Sequence, residues 1–280
     1  MPATTLTRKP APAAKSKPAP KSKSKPKEPT VDQKWATYDR ALIVTAHPDD
    51  AEFLAGGTMA KLCDIGMDVT LCVATSGDKG TRDASLRPQE LAAMREAETR
   101  AAARVLGVKR CIFWGLPDGF LTADHELRGM VVKLIRSLQP DLVLTWDGFR
   151  PGFNHTDHRM IGLAVRDALF PAAHDPHYYP EHGRDGLGPH RTAVLLLAGS
   201  HEPDFHVNIA PYVDKKVDAI VCHTSQIDGR TREDVLKGWF PAIRNSKRKL
   251  ETGFDRAESF RRIEFRRPPG APGSPKPRKR

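Results

Sequence analysis

Apolar side chains fall along this chain in two alternating patterns. The first is a short continuous block: residues 41–46 (ALIVTA), 68–75 (DVTLCVAT), 111–114 (CIFW), 141–146 (DLVLTW) and 192–198 (TAVLLLA). Such blocks lack the helical period, carry β-branched residues, and read as strands buried on both faces. Residues 205–209 (FHVNI) form a shorter candidate. The second pattern is helical. It covers residues 58–66, closed by Gly66, and about 88–106, closed by Gly107, each glycine standing at a C-cap. Residues 124–138 place Leu127, Met130, Val131, Leu134, Ile135 and Leu138 on one face. Further helices are predicted from the 155–159 segment to about Phe170, over 211–222, and over about 231–250. Residues 171–191, rich in Pro, His, Gly and Tyr, read as a long irregular loop. Loops of that length are uncommon unless they are functional or mobile.

Strand and helix alternating at these lengths specify βαβ units, whose right-handed crossovers give a parallel sheet with helices on both faces. The predicted fold is therefore α/β: a Rossmann-like three-layer sandwich with a mostly parallel sheet. No G-x-G-x-x-G follows the first strand, and neither a P-loop nor a G-x-S-x-G elbow occurs, so dinucleotide, P-loop and serine-hydrolase chemistry lack support.

Charge refines the domain picture. Of the formal net charge of +11 on 280 residues, residues 1–30 hold +7 and residues 266–280 hold +6, which leaves residues 31–265 at −2. Residues 1–34 are mostly Lys, Pro, Ala and Ser and cannot bury enough surface to fold. The expectation is a disordered basic tail over 1–34, one folded domain over 35–265, and a second disordered basic tail over 266–280. Polybasic tails can contact polyanions, nucleic acid included, through salt-sensitive attraction; the plainer alternative is a solubilising extension. No apolar run approaches 18 residues and no signal-peptide segment begins the chain, so no membrane span is expected. Cys63, Cys72, Cys111 and Cys222 stand singly in apolar surroundings, which reads as buried thiols in a reducing cytoplasm. A homo-oligomer is compatible with this composition.

The candidate chemistry lies where two strands stop. His47-Pro48-Asp49-Asp50 ends the first block, and Pro48 forces the chain to turn there. His155-x-x-His158 follows the fourth strand in the same way. In a parallel sheet both places lie on the carboxyl edge, so the two clusters can share one crevice. His47, Asp50 and one of the two histidines would supply three ligands for a zinc ion with an open position for water. Asp49 is then free to act as general base towards that water, whose pKa a metal lowers to roughly 7. The spare histidine can polarise a carbonyl or protonate a leaving amine, with Asp157 fixing its tautomer. These are the parts that amide hydrolysis needs. The plainer reading of the first cluster is a helix N-terminus with acidic residues at its positive end.

Ala46-His47-Pro48-Asp49-Asp50, then Gly56-Gly57-Thr58, Gly77-Asp78-Lys79-Gly80-Thr81 and Asn154-His155-Thr156-Asp157-His158-Arg159, together resemble the PIG-L/LmbE-like zinc N-deacetylases over roughly residues 40–250. The resemblance implies zinc held by His47, Asp50 and His158, Asp49 as general base, and His155, aided by Asp157, stabilising the tetrahedral intermediate. It implies a small-molecule substrate, an N-acyl amino-sugar conjugate of the N-acetylglucosamine type. Arg95 matches an arginine used towards substrate, against the alternative of an exposed ion pair with Glu98. His223, in His223-Thr224-Ser225-Gln226, is a second candidate for substrate contact, against a structural histidine. Two departures occur: Ala51 separates Asp50 from Glu52, and Thr156 stands where proline is commoner. Neither removes a ligand.

Overall fold

The computed structural model describes residues 34–152, 155–239 and 252–265. The predicted tails fall almost wholly outside this range, as do residues 240–250 of the last predicted helix. Seven strands form one sheet in the order β3-β2-β1-β4-β5-β7-β6. They are β1 (Arg40–Thr45), β2 (Asp68–Thr75), β3 (Arg110–Leu116), β4 (Leu142–Trp146), β5 (Val194–Ala198), β6 (Phe205–Asn208) and β7 (Ala257–Glu264). Strands β1 to β5 are mutually parallel, and β7 runs antiparallel between β5 and β6. Ile43 lies between Leu71 and Leu144 in register, and all three are fully buried, as the continuous apolar blocks predict.

Helices cover both faces. On one side pack α1 (Asp50–Asp64), α2 (Pro88–Leu106) and, beyond the parallel strands, α6 (Val213–Ile220). On the other pack α3 (His125–Leu138) and α4 (Thr156–Leu169). Short α5 (Pro180–Arg184) and α7 (Arg232–Trp239) complete the set among the described residues. The α/β sandwich with a mostly parallel sheet is as expected.

Three details differ from the pattern-based expectation. The helix predicted from Thr58 starts at Asp50 and continues through a non-helical residue at Ala55 (φ −146°, ψ 18°). The paired glycines that precede the predicted start are needed inside the helix: a Cβ on Gly57 would lie 2.6 Å from Ile209 Cβ. Strand β7 was not anticipated, because its charged and apolar residues lack a continuous block. Thirdly, residues 171–191 are organised rather than irregular. The buried Arg136 guanidinium donates to the carbonyls of Ala172, Ala173, Asp175, Tyr178 and Tyr179. His190 Nε2 lies 2.8 Å from the Pro140 carbonyl, just before β4. The contacts with Arg136 and Pro140 anchor this segment at the amino edge of the sheet, opposite His47, while Tyr179 reaches along α3, its hydroxyl donating to the His125 carbonyl.

Candidate metal centre and active site

The turn after β1 is built to aim side chains into the crevice. Asp49 has φ 89°, a left-handed conformation in which aspartate is among the less strained non-glycine residues. One Asp50 oxygen, Oδ2, accepts from the Ala46 amide (3.1 Å), the His47 amide (2.9 Å) and the Trp146 indole Nε1 (3.0 Å). That leaves Oδ1 facing His158 Nε2 at 3.0 Å. His47 Nδ1 lies 3.1 Å from the same His158 nitrogen and 3.7 Å from Asp50 Oδ2. The His158 ring stacks on Trp146 with centroids 3.8 Å apart. Tetrahedral zinc with bonds of about 2.0–2.1 Å separates its ligand atoms by about 3.4 Å. Two imidazole nitrogens and the Asp50 carboxylate, brought together at these spacings, fit such an ion.

The other His47 nitrogen, Nε2, lies 3.2 Å from both Asp118 Oδ1 and Asp157 Oδ2. The Asp157 oxygens also accept from the Gly119 amide (2.7 Å) and the Leu121 amide (3.1 Å), and Asp118 accepts from the Lys79 amide. His47, Asp118 and Asp157 have ligand atoms close enough to hold an ion, and so do His47, His155 and His158. Their hydrogen bonds distinguish these sets from His47, Asp50 and His158. The Asp118 and Asp157 carboxylates, tied to the Lys79, Gly119 and Leu121 amides, orient the His47 ring through Nε2, which leaves Nδ1 facing His158. His155 Nδ1 accepts from the Asp157 amide at 3.2 Å, so its proton is assigned to Nε2, a donor at the exposed mouth of the site. Asp157 thus sets the His155 tautomer through its backbone, while its side chain serves His47. This differs from the expected carboxylate–His155 pair, because the start of α4 turns the Asp157 side chain inward.

The family model described as PIG-L, GlcNAc-PI de-N-acetylase, matches residues 42–169. The diacetylchitobiose deacetylase of Thermococcus kodakarensis is 33% identical over 214 residues, covering 76% of this chain and 78% of the relative. The chain belongs to the PIG-L family. A probable N-acetyl-alpha-D-glucosaminyl L-malate deacetylase of Bacillus anthracis is 30% identical over 205 residues, 69% of this chain and 83% of the relative. Among solved structures, the N,N'-diacetylchitobiose deacetylase of Pyrococcus horikoshii, complexed with its inhibitor MPG, superposes with a TM-score of 0.72. It is 31% identical, covering 81% of this chain and 84% of that one. These PIG-L relatives are deacetylases, enzymes that hydrolyse amides, and the family is metal-dependent.

Against that PIG-L frame, two predicted substrate residues lie deeper than expected. Arg95 is 4% exposed. It donates to the Gly77 and Pro48 carbonyls, both at 2.9 Å, and stands 3.5 Å from Asp49 Oδ2. A Cβ on Gly77, itself at φ 63°, would collide with this guanidinium. Arg95 therefore ties two rim loops together from beneath. In place of the alternative ion pair with Arg95, Glu98 accepts from Thr224 and Ser225. His223 is fully buried, with Nε2 3.4 Å from Glu52 Oε2, and Glu52 is fully buried too. Burial opposes charge on His223, but the Glu52 carboxylate outweighs it and raises the pKa.

The crevice is strongly acidic. Burial and the adjacent Asp50 charge push Asp49 up to about 7, against the pull of Arg95 and His223. Burial opposes charge on His47, yet Asp118 and Asp50 raise it to about 10. Burial, then His47 and His158, lowers His155 and keeps its ring neutral. A cation bound among these carboxylates would displace the His47 proton and lower Asp49 in turn.

Three residues around the site escaped the sequence reading. Asp118 follows the carboxyl end of β3, the same location that flagged His47, but in Pro117-Asp118-Gly119 it reads as a turn residue. Glu52 was noted only as a departure from the family pattern. Trp146 closes a strand and gives no hint that its indole holds a carboxylate. Replacing Trp146 by phenylalanine keeps the stack on His158 but removes the donor to Asp50. Metal affinity is expected to fall about 10-fold or more, as for other residues that hold a ligand in place; a competition titration with a chromophoric chelator measures it.

Proposed function

We propose that this chain is a zinc-dependent hydrolase that removes an acetyl group from the amide nitrogen of an N-acetylglucosamine-type conjugate. The observation that carries the reading is the convergence of His47 Nδ1, Asp50 Oδ1 and His158 Nε2, with Asp49 left outside that set. Two imidazoles and one carboxylate are the donors zinc favours at a hydrolytic site. Bound there, the cation would supply Lewis acidity and acidify a neighbouring water. Asp49 takes a proton from the attacking water and returns it to the departing amine. His155 Nε2–H donates to the oxygen on which negative charge develops, a contribution that grows in the transition state. Asp118 and Asp157 hold His47 in place throughout. Arg95 keeps the Asp49 turn and the Gly77 loop at fixed separation.

The deacetylase names of the relatives support an N-acetylglucosamine moiety, and they differ in what is attached to it. Among the described residues no helix is long and apolar enough to cross a membrane. The four cysteines are unpaired thiols, which supports a reducing, cytoplasmic setting. Salt-sensitive contact of the basic tails with polyanions is compatible with turnover in the core. The test is a panel of diacetylchitobiose, N-acetylglucosaminyl malate and N-acetylglucosaminyl inositol, read as free amine. At least one should be hydrolysed in the presence of Zn²⁺. Failure on all three, and on free N-acetylglucosamine, would refute the substrate class.

A further inference from the structure

Helix α1 is broken, and the break is bridged by an ion pair from elsewhere in the fold. In a continuous helix the Gly57 amide would bond the Phe53 carbonyl, and the Thr58 amide the Leu54 carbonyl. Here the Gly57 amide donates to Glu258 Oε1 (2.9 Å) and the Thr58 amide to Glu258 Oε2 (2.7 Å). The Phe53 carbonyl accepts instead from Lys216 Nζ (2.8 Å). Lys216 Nζ and Glu258 Oε1 close the circuit at 2.6 Å. Glu258 comes from β7 and is 5% exposed; Lys216 comes from α6 and is 2% exposed. A buried ion pair thus replaces the helical bonds across Ala55, and side chains inserted into the ladder account for the kink.

Gly56-Gly57 makes room for it. A Cβ on Gly56 would lie 3.0 Å from Lys216 Cγ, and one on Gly57 would meet Ile209, so the α6 region approaches the helix backbone closely. On the amino side of the break only one turn remains, residues 50–54. That turn begins with Asp50 and hangs from the Asp49 carbonyl through the Phe53 amide (3.2 Å). Its other end is held by Lys216. Burying two charges is expensive and an apolar pair of equal volume often serves stability as well, so stability alone is a weak reason for this one. Neither charged residue lies in residues 42–169, the segment the family model matches.

We propose that Lys216 and Glu258 are positioning residues, setting the direction of the 50–54 turn and hence where Asp50 Oδ1 points. The proposal rests on Asp50 being a metal ligand. It is tested on the full-length chain with three variants: Glu258→Gln, Lys216→Met, and the double Lys216→Met/Glu258→Leu. Each is measured for Zn²⁺ affinity by chelator competition, for kcat and KM, and for melting temperature. The single variants should bind Zn²⁺ at least tenfold more weakly, and lose at least tenfold in kcat with KM within twofold. The double variant has no unpaired buried charge, so it should melt above both single variants while its Zn²⁺ affinity stays at least tenfold weak. Wild-type Zn²⁺ affinity and kcat in the double variant would overturn the proposal and leave the pair a structural one. If the single variants fail to fold, Gly56→Ala presses on Lys216 without removing a charge; unchanged Zn²⁺ affinity in that variant also counts against the proposal. A wild-type chain that binds no Zn²⁺ would instead overturn the assignment of Asp50, and the proposal with it.

Discussion

Replacing Asp49 by asparagine is expected to lower kcat by about 10²–10⁴-fold, the usual worth of a positioned general base, while the metal stays bound and KM barely moves. The separation of effects follows from how Asp49 is held. Its side chain makes no capping bond to the helix it precedes, and it forms an ion pair with Arg95 at 3.5 Å. Asparagine tolerates the same left-handed backbone, so the turn should survive the exchange. Asp50 keeps all three of its donors and its approach to His158. What is lost is an oxygen able to take a proton. Steady-state kinetics with elemental analysis of the same sample checks this, and full turnover by the metal-bound variant would remove Asp49 from the mechanism.

The second large effect is expected at His158. Alanine there deletes one of the three proposed ligand atoms and the ring that stacks on Trp146. Two ligands on a single turn, His47 and Asp50, do not make a closed three-coordinate site. The variant should lose the metal on dialysis, and kcat/KM should fall by about 10³-fold or more with the Lewis acid gone. Stability gives an independent readout. A ligand that binds only the folded state raises its melting temperature by mass action. Zn²⁺ should therefore stabilise the wild-type chain and leave His158→Ala unmoved. Equal stabilisation of both would show that His158 is not a ligand.

The parallel half of the sheet was legible because strands buried on both faces must be continuously apolar, and β1, β2, β4 and β5 are. Strand β7 was not, since its partners β5 and β6 lie far away in sequence and it carries the charged pair Arg261 and Arg262, one on each face. The start of α1 was misplaced for a related reason: Gly56-Gly57 looks like a helix breaker when the Lys216 and Ile209 side chains that require it are out of view. That His47, Asp50, His155 and His158 come together could be read because strand ends in a parallel sheet share an edge. Depth could not. A resemblance assigns Arg95 and His223 a residue type at a place in the chain, whereas their burial depends on α2 and on the turn after α6 closing over them. The Asp157 carboxylate was assigned to its sequence neighbour His155, but α4 directs it across the crevice to His47, 110 residues earlier.

The most direct test is amine release from an N-acetylglucosamine conjugate by the full-length chain in three states: as purified, after exhaustive chelation, and after adding back Zn²⁺. Release that stops on chelation and returns in full at about one equivalent of Zn²⁺ is the expected result for a three-ligand site. Release that continues unchanged in the metal-free chain would contradict the assignment of His47, Asp50 and His158.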